Sequence, residues 1–315
     1  MSTQETCILL VSLQAQWILN CDRAPSPDFL RQEEGFRGRP AFARLGTTLT
    51  AGGADVPSAD FVRAIPATAS VPDNEGRALV AGERAYIVAS SLDTLIGTHP
   101  AFPEATTTEE WMSIFVHEFF HTRQLLAPSF AETFQAMNDG VLDRERLIAL
   151  YESDARYREL VQREFQLVSN ASADARQVLA EWRVLYEERR AYLNALPDGP
   201  LLVRADLVYS YVEGVARYVE NTFLIDPKHH PAAATVDDPR FTGFKAFEGR
   251  GRDGMLNKGL GARYFYALGM YLSLLLDAVA PDWTQRVHED PELLFGAVFK
   301  VLASPHAGIQ PHAGG

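Results

Sequence analysis

The sequence predicts an α+β protein that is mainly α-helical, with a small β region at the N-terminus and a long helical insertion in mid-chain. Three observations carry this. Residues 141–196 are almost free of Gly and Pro and rich in Arg, Glu, Leu and Ala, the composition of amphipathic helix. Ala85–Ala89 (AYIVA) is a short apolar, β-favouring run. Residues 203–223 and 262–280 have helical period and strong apolar character, and each is followed by a proline, Pro227 and Pro281.

In chain order, Cys7–Cys21 (CILLVSLQAQWILNC) is apolar but interrupted by two glutamines. No Lys or Arg precedes it, and Glu5 does, so it is a poor signal peptide and reads as an amphipathic helix or a strand. The expected compartment is the cytoplasm, with a secreted or periplasmic location as the alternative. Residues 22–75 are rich in Pro, Gly, Ala and Asp and read as irregular with short strands, and 77–92 as a hairpin or two short strands. A helix is expected over 111–126. Thr107 or Thr108 caps it, Glu109 and Glu110 sit in the first turn where the helix dipole favours them, and Pro128 closes it. Residues 141–196 make two or three helices broken near Ser169–Ser172, and Pro197–Pro200 is a turn. Residues 228–261, rich in Gly and Pro, read as a long loop. Residues 291–303 are a last helix, and the tail from Ser304 frays. The division expected is an N-terminal region, 1–106, and a helical region, 107–315.

The 315 residues carry a formal net charge of −12. Such a chain repels phosphate backbones, which argues against nucleic acid as a partner. No uncharged apolar run approaches the ~20 residues that a membrane-spanning helix needs. Cys7 and Cys21 have no metal-knuckle spacing, so no cysteine-based zinc site is expected.

Residues 117–121 read HEFFH, inside the helix of 111–126. At 3.6 residues per turn, positions i and i+4 share a face, so His117 and His121 can grip one ion. Glu118 lies beside them, where it can take a proton from an attacking water. A catalytic zinc needs a third protein ligand and an open position. Residues 213–220 read EGVARYVE. Glu213 is flanked by Val212, Val215 and Ala216, and an unpaired carboxylate on such an apolar face is costly. Gly214 admits close approach of another backbone or of a metal site. Glu220, seven residues on, shares the face, which suits one ligand and one carboxylate that supports a ligating histidine.

HEFFH together with EGVARYVE resembles the gluzincin metallopeptidases, in particular the M1-type branch with its Glu-Gly-x-Ala-x-x-x-Glu helix. The resemblance implies a zincin-like core that binds Zn2+ through His117, His121 and Glu213. It also implies Glu118 as general base and a peptide or protein as substrate. Tyr266-Ala-Leu-Gly269 is similar to the Tyr-x-x-Gly helix of the same enzymes, which implies that the Tyr266 hydroxyl steadies the oxyanion. Tyr264 is the substitute if the register differs. The helices of 141–196 then fall between the ligands as an insertion. The Gly-x-Met-Glu-Asn motif that anchors a free amine in those aminopeptidases is missing, so the likeness covers the catalytic core and not aminopeptidase specificity.

Tyr86–Ser90 is expected to be a core strand or an edge strand that binds extended substrate. His229 and His230 read as loop residues, Arg250 and Arg252 as a solvated basic spot, His288 as surface, and the charges of 144–190 as a solvated helical face. Arg217 can pair with Glu213 or Glu220 or meet a substrate carboxylate. Two other functions stay open: an inert zinc-binding scaffold that uses helices 141–196 to hold a partner, and a metal-dependent hydrolase of a small amide or ester.

Overall fold

The computed structural model describes eight strands, residue 92, and residues 107–125, 128–170, 174–226, 228, 238–244, 263–285, 287 and 292–304. The described residues are mainly helical. The chain divides into two compact units, both discontinuous in sequence: Met1–Pro128 with Val219–Phe247, and Ser129–Tyr218 with Glu248–Gly315. The boundary expected at 106 marks where strands give way to helices.

In the first unit, Cys7–Cys21 contributes a β-hairpin, so strand prevails over helix there. β1 (Cys7–Val11) pairs antiparallel with β2 (Ala15–Leu19), Leu9 opposite Ile18. β3 (Leu30–Arg31), β4 (Ala41–Leu45), β5 (Val62–Ile65) and β8 (Tyr86–Ser90) complete a six-stranded sheet in the order β3-β4-β2-β1-β8-β5. β6 (Ser70–Pro72) and β7 (Ala78–Val80) form a separate antiparallel pair. β8 runs parallel to β1 and antiparallel to β5. It is therefore interior, with hydrogen-bonding partners on both sides. The reading of Tyr86–Ser90 as a substrate-binding edge is corrected, because strand addition needs an unpaired row of N–H and C=O groups. The core-strand reading stands.

α1 (Thr108–Leu125) packs on β5 and β8. Its start is a reciprocal capping box. Glu110 N–H donates to Thr107 Oγ1 at 3.3 Å, and Thr107 N–H donates to Glu110 Oε2 at 3.0 Å. Glu109 is drawn elsewhere and accepts from the Thr242 N–H at 3.0 Å. Thr108 donates to Asp238 at 2.7 Å.

α2 (Pro128–Asn138), in the second unit from Ser129 on, begins on the proline that was expected only to end α1. Proline suits a first helical position, where its missing N–H has no partner to lose. The expected insertion forms three helices, α3 (Arg144–Ser153), α4 (Ala155–Ser169) and α5 (Ala175–Asn194), capped by the carboxylates of Asp143, Asp154 and Asp174. α6 (Gly199–Ile225) is 27 residues long and takes in Pro200, so the turn expected at 197–200 is partly helix for the same reason. α6 continues into the first unit from Val219. α7 (Arg263–Val279) and α8 (Leu293–Ala303) follow.

The core of this unit is aromatic. Trp182 stacks on Tyr186 with ring centroids 5.3 Å apart, and Phe295 meets both edge-on. Beside them lies a fully buried ionic cluster. Arg189 donates to Glu164 and Asp206, and Trp182 Nε1 donates to Glu164 at 3.0 Å. Burial pushes the Glu164 and Asp206 carboxyls up, against the opposing pull of Arg189. The charges of 144–190 are thus not all a solvated face. Arg183–Glu187 and Arg156–Glu159 are exposed pairs of the expected kind, whereas Glu164 and Arg189 are core.

Two glycines set the approach of α6 to α7. A Cβ on Gly214 would lie 2.3 Å from the Gly269 Cα, and one on Gly269 would lie 2.2 Å from the Ser210 carbonyl oxygen. The expected role of Gly214, admitting another backbone, is met by Gly269.

Candidate metal centre

The buried stripe of α1 is polar: Glu109, Ser113, His117 and Gln124 all lie on it. Buried polar groups need partners, and here the partners orient the two histidines. His117 Nδ1 faces Glu220 Oε2 at 3.3 Å. Ser113 Oγ donates to the other oxygen of Glu220 at 3.0 Å, which fixes the carboxylate. His121 Nδ1 meets Gln124 Oε1 at 2.7 Å. An oxygen beside each Nδ1 favours the tautomer protonated there, which would leave the Nε2 lone pairs to bind a cation.

His117, Glu118 and His121 form a group whose ligand atoms lie within 4.8 Å of one another and can hold a metal ion. The histidine rings stand at 90° to each other with centroids 4.8 Å apart. Glu118 Oε2 is 4.0 Å from His121 Nε2. His117 is buried, whereas Glu118 and His121 are half-buried. Two imidazoles and a carboxylate are a donor set that can hold a metal ion.

The other expected site residues belong to the second unit. There Glu213 lies 3.9 Å from Arg144 Nη1, and the Arg217 guanidinium covers the Tyr266 ring, 5.2 Å from its centroid. Tyr264 and Tyr266 part company. Two residues apart on a helix turn about 200°, so Tyr264 enters the sealed core beside Arg189 while Tyr266 stays half-buried. Burial pushes the Tyr264 hydroxyl well above its ordinary pKa.

Ser113 and Gln124 were not singled out from the sequence, although their spacing of −4 and +7 from His117 puts them on its face. Arg144 gave no signal, since a helix-start arginine among many charges looks solvated. His229, His230, Gly249, Arg250, Gly251, Arg252, Gly254 and His288 lie outside the described residues. Among the described residues, no helix is long and apolar enough to cross a membrane. No family model matches the chain, and no curated protein or solved structure matches it.

Proposed function

We propose that this protein is a zinc-dependent hydrolase of the gluzincin type, acting on peptide bonds. The observation that carries the reading is the convergence of His117, Glu118 and His121 on α1, with oxygens of Glu220 and Gln124 beside the two Nδ1 atoms. Structural histidines have no need of a shared direction.

His117 and His121 would hold the metal through Nε2. Glu213 is the third ligand on the strength of the EGVARYVE run. Zinc bound there would lower the pKa of a water to about 7 and polarise the substrate carbonyl. Glu118 accepts the proton of the attacking water and passes it to the departing amine, because it is the carboxylate next to the ligand atoms with a half-exposed head. Glu220 keeps His117 in one tautomer and orientation, with Ser113 steadying it. Tyr266 is the candidate for steadying the oxyanion, since Tyr264 is committed to the core.

The first test is zinc per chain in gently purified protein, by elemental mass spectrometry, followed by Glu118→Gln. One zinc per chain is expected, in wild type and variant alike. Hydrolysis of a peptide library should fall by about 10²–10⁴-fold in the variant. Full activity in Glu118→Gln would sink the assigned base, and zinc bound without hydrolysis of any peptide would favour the inert scaffold. A chain that takes up no zinc when it is offered would end the metal reading.

A further inference from the structure

Resting on that reading, we propose that Arg144 is a substrate-recognition residue. It would hold a carboxylate of the peptide, so the preferred substrates carry an anion close to the bond that is cut. The residues concerned all lie in the second unit. Arg144 opens α3, and its guanidinium stands 3.9 Å from Glu213 and 5.8 Å from the centre of the Tyr209 ring. This distance places the cation beside Glu213, the residue of this unit that the proposed mechanism uses as a ligand. Arg217, four residues after Glu213 on α6, covers the face of Tyr266.

Arg144 is not built like the structural arginines of this molecule. Arg189 donates to two buried carboxylates, and Arg240 donates to Asp238 through its Nε and Nη2 at 3.0 and 2.9 Å. Arg144 donates no hydrogen bond among the described residues. Its ion contacts, to Glu145 at 3.6 Å and Glu213 at 3.9 Å, are long, and its side chain is 42% exposed. A guanidinium fork with donors to give matches a planar carboxylate. Arg144 meets Glu213 at long range, in a chain whose net charge is −12. Engagement of Glu213 by a metal would turn the Arg144 fork toward another carboxylate.

The carboxylate has two sources, a peptide C-terminus or an Asp or Glu side chain. Both are tested with randomised N-acetyl hexapeptides made once as free acids and once as C-terminal amides, digested by the zinc-supplemented enzyme and read by mass spectrometry. A C-terminal anchor gives about 10–100-fold faster cleavage of the acid pool, the range expected for one charged hydrogen-bonded contact. A side-chain anchor gives equal cleavage of the two pools with Asp and Glu enriched beside the cut. In Arg144→Gln either preference should vanish through KM more than kcat, and Arg144→Lys should recover part of it. Cleavage with neither preference, or with a preference that Arg144→Gln leaves intact, overturns the proposal and spares the peptidase reading.

Binding separates the two failures. Zinc-supplemented Glu118→Gln is titrated calorimetrically with N-acetyl-hexaalanine as acid and as amide, and with an N-acetyl hexapeptide amide carrying a central Glu. If no peptide is cleaved yet a carboxylate-bearing peptide binds more tightly, and Arg144→Gln removes the difference, the anion site stands and the peptidase reading falls. No cleavage and no binding preference removes both.

Discussion

The two units each contain a buried polar cluster assembled from helices, and the clusters end differently. Around Arg189 the charges close on themselves. One guanidinium is shared by Glu164 and Asp206, Trp182 supplies a further donor, and all of it is sealed from solvent. Around His117 the neighbours stand behind the histidines, on the Nδ1 side, and three ligand atoms turn toward one another with two of the three residues half-exposed. A cluster that serves only the fold carries its own countercharge. A cluster that brings acceptors and lone pairs together on one partly open face can receive a cation.

The comparison is broken most severely at its closed end. Arg189→Met leaves two carboxylates buried without their cation and should cost about 3–5 kcal/mol in urea unfolding. Zinc bound per folded chain should not change. The pH dependence carries a definite sign. Carboxyls whose folded pKa is raised, as those of Glu164 and Asp206 are, contribute their stability in full below the unfolded carboxylate range. They lose it as pH rises through their folded values. The cluster's share of stability therefore falls from about pH 4 upward, and Arg189→Met should steepen that fall. Adding Glu164→Gln and Asp206→Asn to it should flatten the slope and return much of the loss.

Gly214→Ala probes the packing beneath the proposed third ligand. Alanine is the better helix former by about 1 kcal/mol, but its methyl would meet backbone at 2.3 Å. Overpacking should prevail, with a net loss of about 1–3 kcal/mol by denaturant titration. A stabilised variant would show that α6 and α7 can move apart.

At the open end, Glu220→Gln keeps the shape behind His117 and removes the charge. Zinc affinity should fall by about 10–100-fold in chelator competition, with little change in the stability of metal-free protein. An equal loss of stability in metal-free protein would make Glu220 a structural residue like Glu164, and the contrast between the clusters would fail.

The smallest effect is at Asp238. Hydrogen bonds from the Arg240 side chain and N–H, and from Thr108, hold its carboxyl well below the usual range. A lowered folded pKa contributes stability above the ordinary carboxylate range, and that contribution disappears as pH falls through the folded value. Asp238→Asn should lower Tm slightly at neutral pH, and the gap to wild type should close in acid.

Much of the helical framework was legible, because it rests on local rules. The composition of 141–196, the Thr107–Glu110 capping pattern and the period of 262–280 each fix a helix from within. The HEFFH spacing likewise puts two histidines and a glutamate together on any helix that forms there. Prolines misled at both ends of 128–200. Pro128 and Pro200 look like stops, yet each sits in the first turn of a helix, where a missing N–H costs nothing.

Other features needed the fold. Whether β8 is an edge or an interior strand depends on β5 pairing with it, a contact absent from the local pattern of Tyr86–Ser90. The separation of Tyr264 from Tyr266 depends on which face of α7 meets Arg189. Glu220 reaches His117 across 103 positions of chain, and neither residue's neighbours announce the other. By itself the sequence determined the helix that carries the histidines and the chemistry they can offer, since propensity and side-chain period act over a few residues. Only the tertiary structure decided which carboxylates stand behind the histidines and which are closed into the core, because burial and long-range pairing set the electrostatics of both.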